Sequence, residues 1–159
     1  MSSFELFRKI PLFREFSHAE LLKIDKMAQK VRFPPGTIIF SRGDAGDALF
    51  LVREGEVEVL TPSPEEEELE DVVSVLGPGD LFGEMALVEH EPRSATVRAK
   101  TEVKAFRLPR EYFEELMREE SALALKIYKR LTIILSHRLR ETTERLGIAN
   151  RIIRMTSRK

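Results

Sequence analysis

At 159 residues, 42% of them hydrophobic, the chain is long enough to bury one core and lies within the usual size of a single domain. It has no cysteine, which excludes a disulfide framework and a thiolate metal site. No stretch approaches the ~18 apolar residues of a membrane span, and the N-terminus lacks a basic segment followed by an apolar core, so a soluble, cytoplasmic protein without a membrane span is expected. The net charge of -1 conceals a polarity: residues 121–159 carry ten Lys/Arg against two Asp/Glu, a net of +8, which leaves residues 1–120 at -9. The basic segment reads either as a solvated helix face or as a surface for an acidic partner or nucleic acid.

In chain order, Ser17-His18-Ala19-Glu20 has the form of a capping box, and Leu21, Ile24, Met27 and Ala28 recur at helical spacing, which predicts a helix over about 17–30. Phe33-Pro34-Pro35-Gly36 ends it. Short β-rich runs follow at 37–40, 48–52, 56–60, 72–76, 95–99 and 103–108, separated by Gly43-Asp44, Glu54-Gly55 and Gly77-Pro78-Gly79-Asp80 turns. Residues 56–60 and 103–108 alternate apolar with polar, as strands with one wet face do. Helices on either side of a small antiparallel sandwich or barrel make this an α+β chain. The acidic run 65–71, entered through Pro62 and Pro64, is expected to be a mobile hairpin loop without chemistry.

After Pro109, placed in a first turn, Tyr112, Phe113, Leu116 and Met117 form an apolar helical face. A second, longer helix is expected from about Ser121. Along it Leu135, Leu139, Leu146 and Ile153 form one seam, with Thr142 and Ala149 at its intermediate positions, while Leu123, Ile127, Leu131 and Ile134 form another stripe. Two stripes call for two partners, the barrel and a second helix. Gly147 weakens the helix by roughly 1 kcal/mol relative to Ala, and the seam is expected to end there.

The segment that carries chemistry runs over residues 79–97. Small residues at Gly83, Ala86, Ser94 and Ala95 permit close backbone approach to an anion, and between them stand Glu84 and Arg93. A guanidinium fork matches phosphate oxygens, and an ionised carboxylate only accepts, which suits a sugar hydroxyl. Taken alone, the pair also fits a surface ion pair between Arg93 and Glu91. The scattered His18, His90 and His137 offer no metal-ligand spacing, and no serine has a His and carboxylate set, so no enzyme, metal or cofactor is expected.

Gly83-Glu84 followed by Pro92-Arg93-Ser94-Ala95-Thr96 resembles the phosphate-binding cassette of the cyclic-nucleotide-binding domain family, which includes protein kinase A regulatory subunits, gated channels and the catabolite activator protein. Pro11-Leu12-Phe13, Pro35-Gly36 with Ile39-Phe40, Gly43-Asp44, Gly55-Glu56-Val57 and Gly77-Pro78-Gly79-Asp80 extend the resemblance over roughly 10–146. It implies a jelly-roll-like β-roll flanked by an N-terminal helix and C-terminal helices, the last one long. The nucleotide-binding roll and its flanking helices would occupy 1–120, and a lid or dimerisation helix with a basic tail 121–159. The ligand would be cyclic AMP or cyclic GMP, with Arg93 on the phosphate, Glu84 on the ribose 2′-hydroxyl, the backbone at Gly83, Met85, Ala86 and Ala95 on remaining acceptors, and Ser94 on phosphate or base. Residues 137–146 look like the dimer helix of the catabolite activator protein branch, in which a Thr-Ser pair reaches the base; Thr142 and Thr143 match that pair.

That resemblance implies a sensor that forms a homodimer and signals to an unidentified downstream protein. The thirteen residues after Leu146 are too few for a helix-turn-helix, so sequence-specific DNA binding by this chain alone is not expected. A DNA-binding regulator truncated before that element, and a structural oligomer that has lost its nucleotide response, remain the alternatives.

Overall fold

The computed structural model describes residues 3–66 and 68–157. Helix α1 (Ser3–Lys9) and a 3-10 turn (Pro11–Phe13) lead into α2 (His18–Met27). Eight strands follow: β1 (Gln29–Phe33), β2 (Ile38–Phe40), β3 (Ala48–Glu54), β4 (Val57–Pro62), β5 (Glu70–Leu76), β6 (Leu81–Phe82), β7 (Thr96–Ala99) and β8 (Val103–Pro109). A single-turn α3 (Met85–Val88) sits between β6 and β7, and α4 (Arg110–Glu119) and α5 (Ser121–Thr156) close the described chain. The strands form two antiparallel sheets, β1-β8-β3-β6 and β2-β7-β4-β5. This is the α+β chain that the order of elements implies and the β-roll that the resemblance implies.

Strand β3 shows why the layers stack as they do. Its residues 48–52 are all buried, which a strand achieves only when both faces are covered. Leu49 and Leu51 point to a helical core with Phe7, Phe13, Leu21, Ile24 and Phe106, whereas Ala48, Phe50 and Val52 enter a core between the sheets with Phe82, Val97 and Val103. The β1-β8-β3-β6 sheet is therefore the middle layer, with helices on one side and the second sheet on the other.

Several expectations are corrected. The capping box forms in full, Ser17 Oγ accepting from the Glu20 N–H at 3.2 Å and Glu20 Oε2 from the Ser17 N–H at 2.8 Å, but α2 stops at Met27 rather than near residue 30. Ala28 turns extended and Gln29 begins β1, whose five residues pair with β8. Pairing with a strand some 75 positions away overrides local helical spacing. Pro109 is the extended cap before α4, not a residue of its first turn. Glu70 and Asp71 belong to β5, paired with Pro62 and Thr61, so the acidic connection is shorter than 65–71, and Glu67 lies outside the described residues. Helix α5 runs through Gly147 without a break to Thr156, about 54 Å at 1.5 Å per residue.

Helix α5 has two halves. Leu123, Ala124, Ile127 and Leu131 are buried in the helical core, with Ile134 packed against it, as the second stripe predicts. Among the described residues beyond 135 only Arg138 is partly covered, and Leu139 and Leu146 are 68% and 60% exposed. No helix among the described residues is long and apolar enough to cross a membrane.

Candidate functional site

The cassette begins where β6 ends. Phe82 is held in the inter-sheet core, and the next residue, Gly83, turns the chain at φ +71°. A Cβ there would stand 2.6 Å from Arg93 Nη1 and 3.1 Å from the Ala48 carbonyl, so the close approach requires glycine on both grounds. Glu84 follows as the residue before α3, and the chain returns through residues 89–95 to β7. Arg93 is pinned by its own backbone: its N–H donates to the Asp44 carbonyl and its carbonyl accepts from the Gly43 N–H, both at 2.8 Å. The Gly43-Asp44 turn thus fixes the position from which the Arg93 side chain departs.

That side chain is buried, with 7% of the residue exposed. Nη2 donates to the Ala48 carbonyl at 2.9 Å and to Asp47 Oδ1 at 3.4 Å, and Nη1 to the Gly83 carbonyl at 3.2 Å. Nε is buried and has no hydrogen-bond partner among the described residues, a state it shares with Nε of Arg53 and Arg130. Burial pushes the guanidinium below the ordinary arginine range, Asp47 partly offsets this, and Arg110 and Arg107 add repulsion. Additional negative charge is what this environment favours.

Glu84, 9% exposed, lies on the same cavity. The cavity, of about 130 Å³, is walled by Phe40, Val59, Leu76, Phe82 and Val97 on its apolar side and by the cassette on the other. Gly83, Glu84, Met85, Ala86, Arg93, Ser94 and Ala95, all seven cassette residues expected at the site, line it together. Ser94 Oγ faces the Met85 sulfur at 3.7 Å, and the Ala86 N–H is already donated to the Gly83 carbonyl at 3.2 Å. The far side of α3 is clasped from the C-terminal helices: Arg110 donates to the carbonyls of Ala86 at 2.6 Å and Glu89 at 3.2 Å, and the Tyr128 hydroxyl to that of Leu87 at 3.2 Å.

Thr142 and Thr143 do not join the cassette. Thr142 lines an adjoining groove that shares Val59, Leu76 and Arg138 with the cavity, whereas Thr143 lines neither. Both hydroxyls are satisfied within the helix, Thr142 donating to the Arg138 carbonyl and Thr143 to that of Leu139, each at 2.8 Å. Arg138 was missed. It is the cavity wall supplied by α5, donating to Glu84 Oε1 at 3.1 Å and to the Leu81 carbonyl. Its signal in the sequence was a cation four residues before Thr142, on the same helix face. Among the described residues no cluster of three or more His, Asp or Glu could hold a metal ion.

The sequence model of the cyclic nucleotide-binding domain matches residues 30–120, more than half of the chain. The chain belongs to this family. Among its relatives is the cAMP-dependent protein kinase regulatory subunit of Emericella nidulans, 39% identical over 109 residues, 69% of this chain and 25% of that one. Of solved structures, a cyclic nucleotide-binding domain from Methylobacillus flagellatus superposes with a TM-score of 0.79 at 30% identity, covering 89% of this chain and 79% of that chain. The catabolite activator protein of Thermus thermophilus gives 0.74 at 32% identity, over 88% of this chain and 63% of that one. The chain spans 25%, 32% and 61% of the length of three curated relatives it matches, so this cyclic nucleotide-binding domain shares only part of each.

Proposed function

We propose that this domain is a cyclic-nucleotide sensor without catalytic activity, which binds cyclic AMP or cyclic GMP and passes the binding event to α5. The observation that carries the reading is the buried guanidinium of Arg93 lining the same cavity as the carboxylate of Glu84. The phosphate would take the open edge of the Arg93 guanidinium and the backbone around Gly83, Ala86 and Ala95, with Ser94 beside it. The ribose 2′-hydroxyl would donate to Glu84. The base would extend over Val59 and Leu76 into the groove where Thr142 stands; Thr143 enters the proposal only through its match to the family pair.

The body over 1–120 would hold the ligand and the helix over 121–159 would report it, both to a second copy of the chain and to a downstream protein. A ligand shifts such a helix only by its differential affinity for two placements. Arg138 is the group through which that difference would arise, because it ties α5 to the carboxylate the ribose would contact. The basic stretch of α5 would attract polyanions without reading a DNA sequence.

Calorimetric titration of the purified chain with cyclic AMP, cyclic GMP and the linear 5′-monophosphates tests the reading. The expected result is micromolar or tighter binding of at least one cyclic form and weaker binding of the linear ones. No binding of either cyclic nucleotide at millimolar concentration overturns it and favours the structural oligomer.

A further inference from the structure

We propose that Phe40 is a positioning residue for Arg93: its ring is the platform that holds the plane of the guanidinium where Arg93 borders the cavity. This rests on the nucleotide-binding reading for its consequence, but its geometry stands on separate contacts. The Arg93 Cζ lies 4.0 Å from the centroid of the Phe40 ring, within the range of a cation–π contact and tight for one. The ring is itself held, 5.9 Å from Phe82 and 6.0 Å from Phe50, which stack on each other at 5.0 Å and 6°. Strand β2 fixes the backbone beneath it through the pairing of Phe40 with Val97.

A guanidinium donates only in its own plane. The carbonyls of Gly83 and Ala48 and the Asp47 carboxylate hold the Nη groups at the edge of that plane. The aromatic face supports the same plane from one side, since a tilt that strains those bonds also lifts the cation off the ring. It also compensates a cation whose burial is the main force against its charge. An aliphatic residue of similar bulk fills the space without either effect. Phe40 lines the cavity too, so its face bounds the region in which an anion can sit.

The test uses Phe40→Leu, which keeps bulk, and Phe40→Tyr, which keeps the ring. In an Nε–Hε spectrum of arginine-labelled wild-type protein, the buried Arg93 Hε should appear shifted upfield by the ring, unshifted in Phe40→Leu and shifted again in Phe40→Tyr. Titration should show cyclic-nucleotide affinity about tenfold weaker in Phe40→Leu, ~1.4 kcal/mol, and within threefold of wild type in Phe40→Tyr. An Arg93 Hε without an upfield shift in the wild type overturns the platform whether or not nucleotide binds. Equal weakening in both variants overturns it as well, because that is a packing effect. A shifted Hε in a protein that binds no cyclic nucleotide upholds the positioning and removes the nucleotide reading instead.

Discussion

Arg138 of α5 and Glu84 of the cassette are joined, Nη1 donating to Oε1 at 3.1 Å across 54 positions of sequence. The carboxylate assigned to the ribose is therefore already engaged by the arginine of the projecting helix. Any ligand hydroxyl at Glu84 must join that pair or displace it, and in either case the energy of the pair enters the binding free energy. Coupling of this kind is reciprocal: what the ligand does to the helix, the helix does to the affinity.

Arg138→Gln tests the link. Cyclic AMP should change amide-exchange protection of α5 beyond residue 135 in the wild type and leave it unchanged in the variant. Affinity should differ between the two by roughly fivefold or more. A ligand effect on α5 that survives the substitution would exclude Arg138 as the connection.

Arg93→Lys keeps the charge and loses the fork. Lysine cannot bridge the Gly83 and Ala48 carbonyls while presenting a donor edge, so nucleotide affinity should fall tens-fold, on the order of 2 kcal/mol or more. The buried Ala48 carbonyl also loses its guanidinium donor, while Gly83 keeps the Ala86 N–H, which should lower unfolding stability by about 1–3 kcal/mol. Calorimetry and urea denaturation on the same protein separate the two costs. A loss of affinity under threefold contradicts the role given to Arg93.

The cassette was legible because its chemistry is local in sequence. Gly83 and Glu84 leave one strand and Arg93 enters the next, so a dozen residues contain the polar groups that line the cavity, and the fold only has to bring their two ends together. The walls were not legible, because Phe40, Asp47 and Arg138 reach the site from β2, the turn before β3 and the far helix. Long-range pairing also hid β1: Gln29-Lys30-Val31-Arg32-Phe33 has a weak alternation of its own and becomes a strand because β8 lies open beside it. The stripe that docks α5 was readable from spacing, since burial follows Leu123, Ile127 and Leu131 and stops beyond Leu135, where the other stripe continues through the exposed Leu139 and Leu146.

Glu20 links α2 to α5 and gives a pH signature. Its hydrogen bond from Lys126 at 2.8 Å, helped by the Ser17 cap, holds the carboxyl below the usual carboxylate range, with burial opposing. A depressed folded-state pKa contributes stability that is present above the unfolded value, about 4.3, and is lost as pH falls through the folded value. Glu20→Gln should therefore cost no more than about 1 kcal/mol at pH 7 and progressively less in acid. Urea midpoints from pH 7 down to pH 3 measure this, and a difference that grows in acid would contradict the sign.

The last prediction concerns what covers α5. Beyond residue 135 the helix has almost no support from its own domain, and a free helix of some twenty residues is marginal in water. Yet Leu139, Leu146 and Ile153, 68%, 60% and 59% exposed, continue a seam from the half-buried Leu135 at heptad spacing. A second copy packed along this seam buries the stripe and supports the helix at once, so we expect a homodimer at micromolar concentration. Leu139→Glu should give a monomer with reduced helical signal. Ile148→Glu is the control: Ile148 is 59% exposed but lies two positions from Leu146, on another side of the helix, and its change should leave the dimer intact. Thr142→Val should preserve or tighten the dimer, because the hydroxyl that valine removes is satisfied within the helix by the Arg138 carbonyl. Sedimentation of the four proteins decides the matter: a monomeric wild type, or equal disruption by Leu139→Glu and Ile148→Glu, rules the seam out.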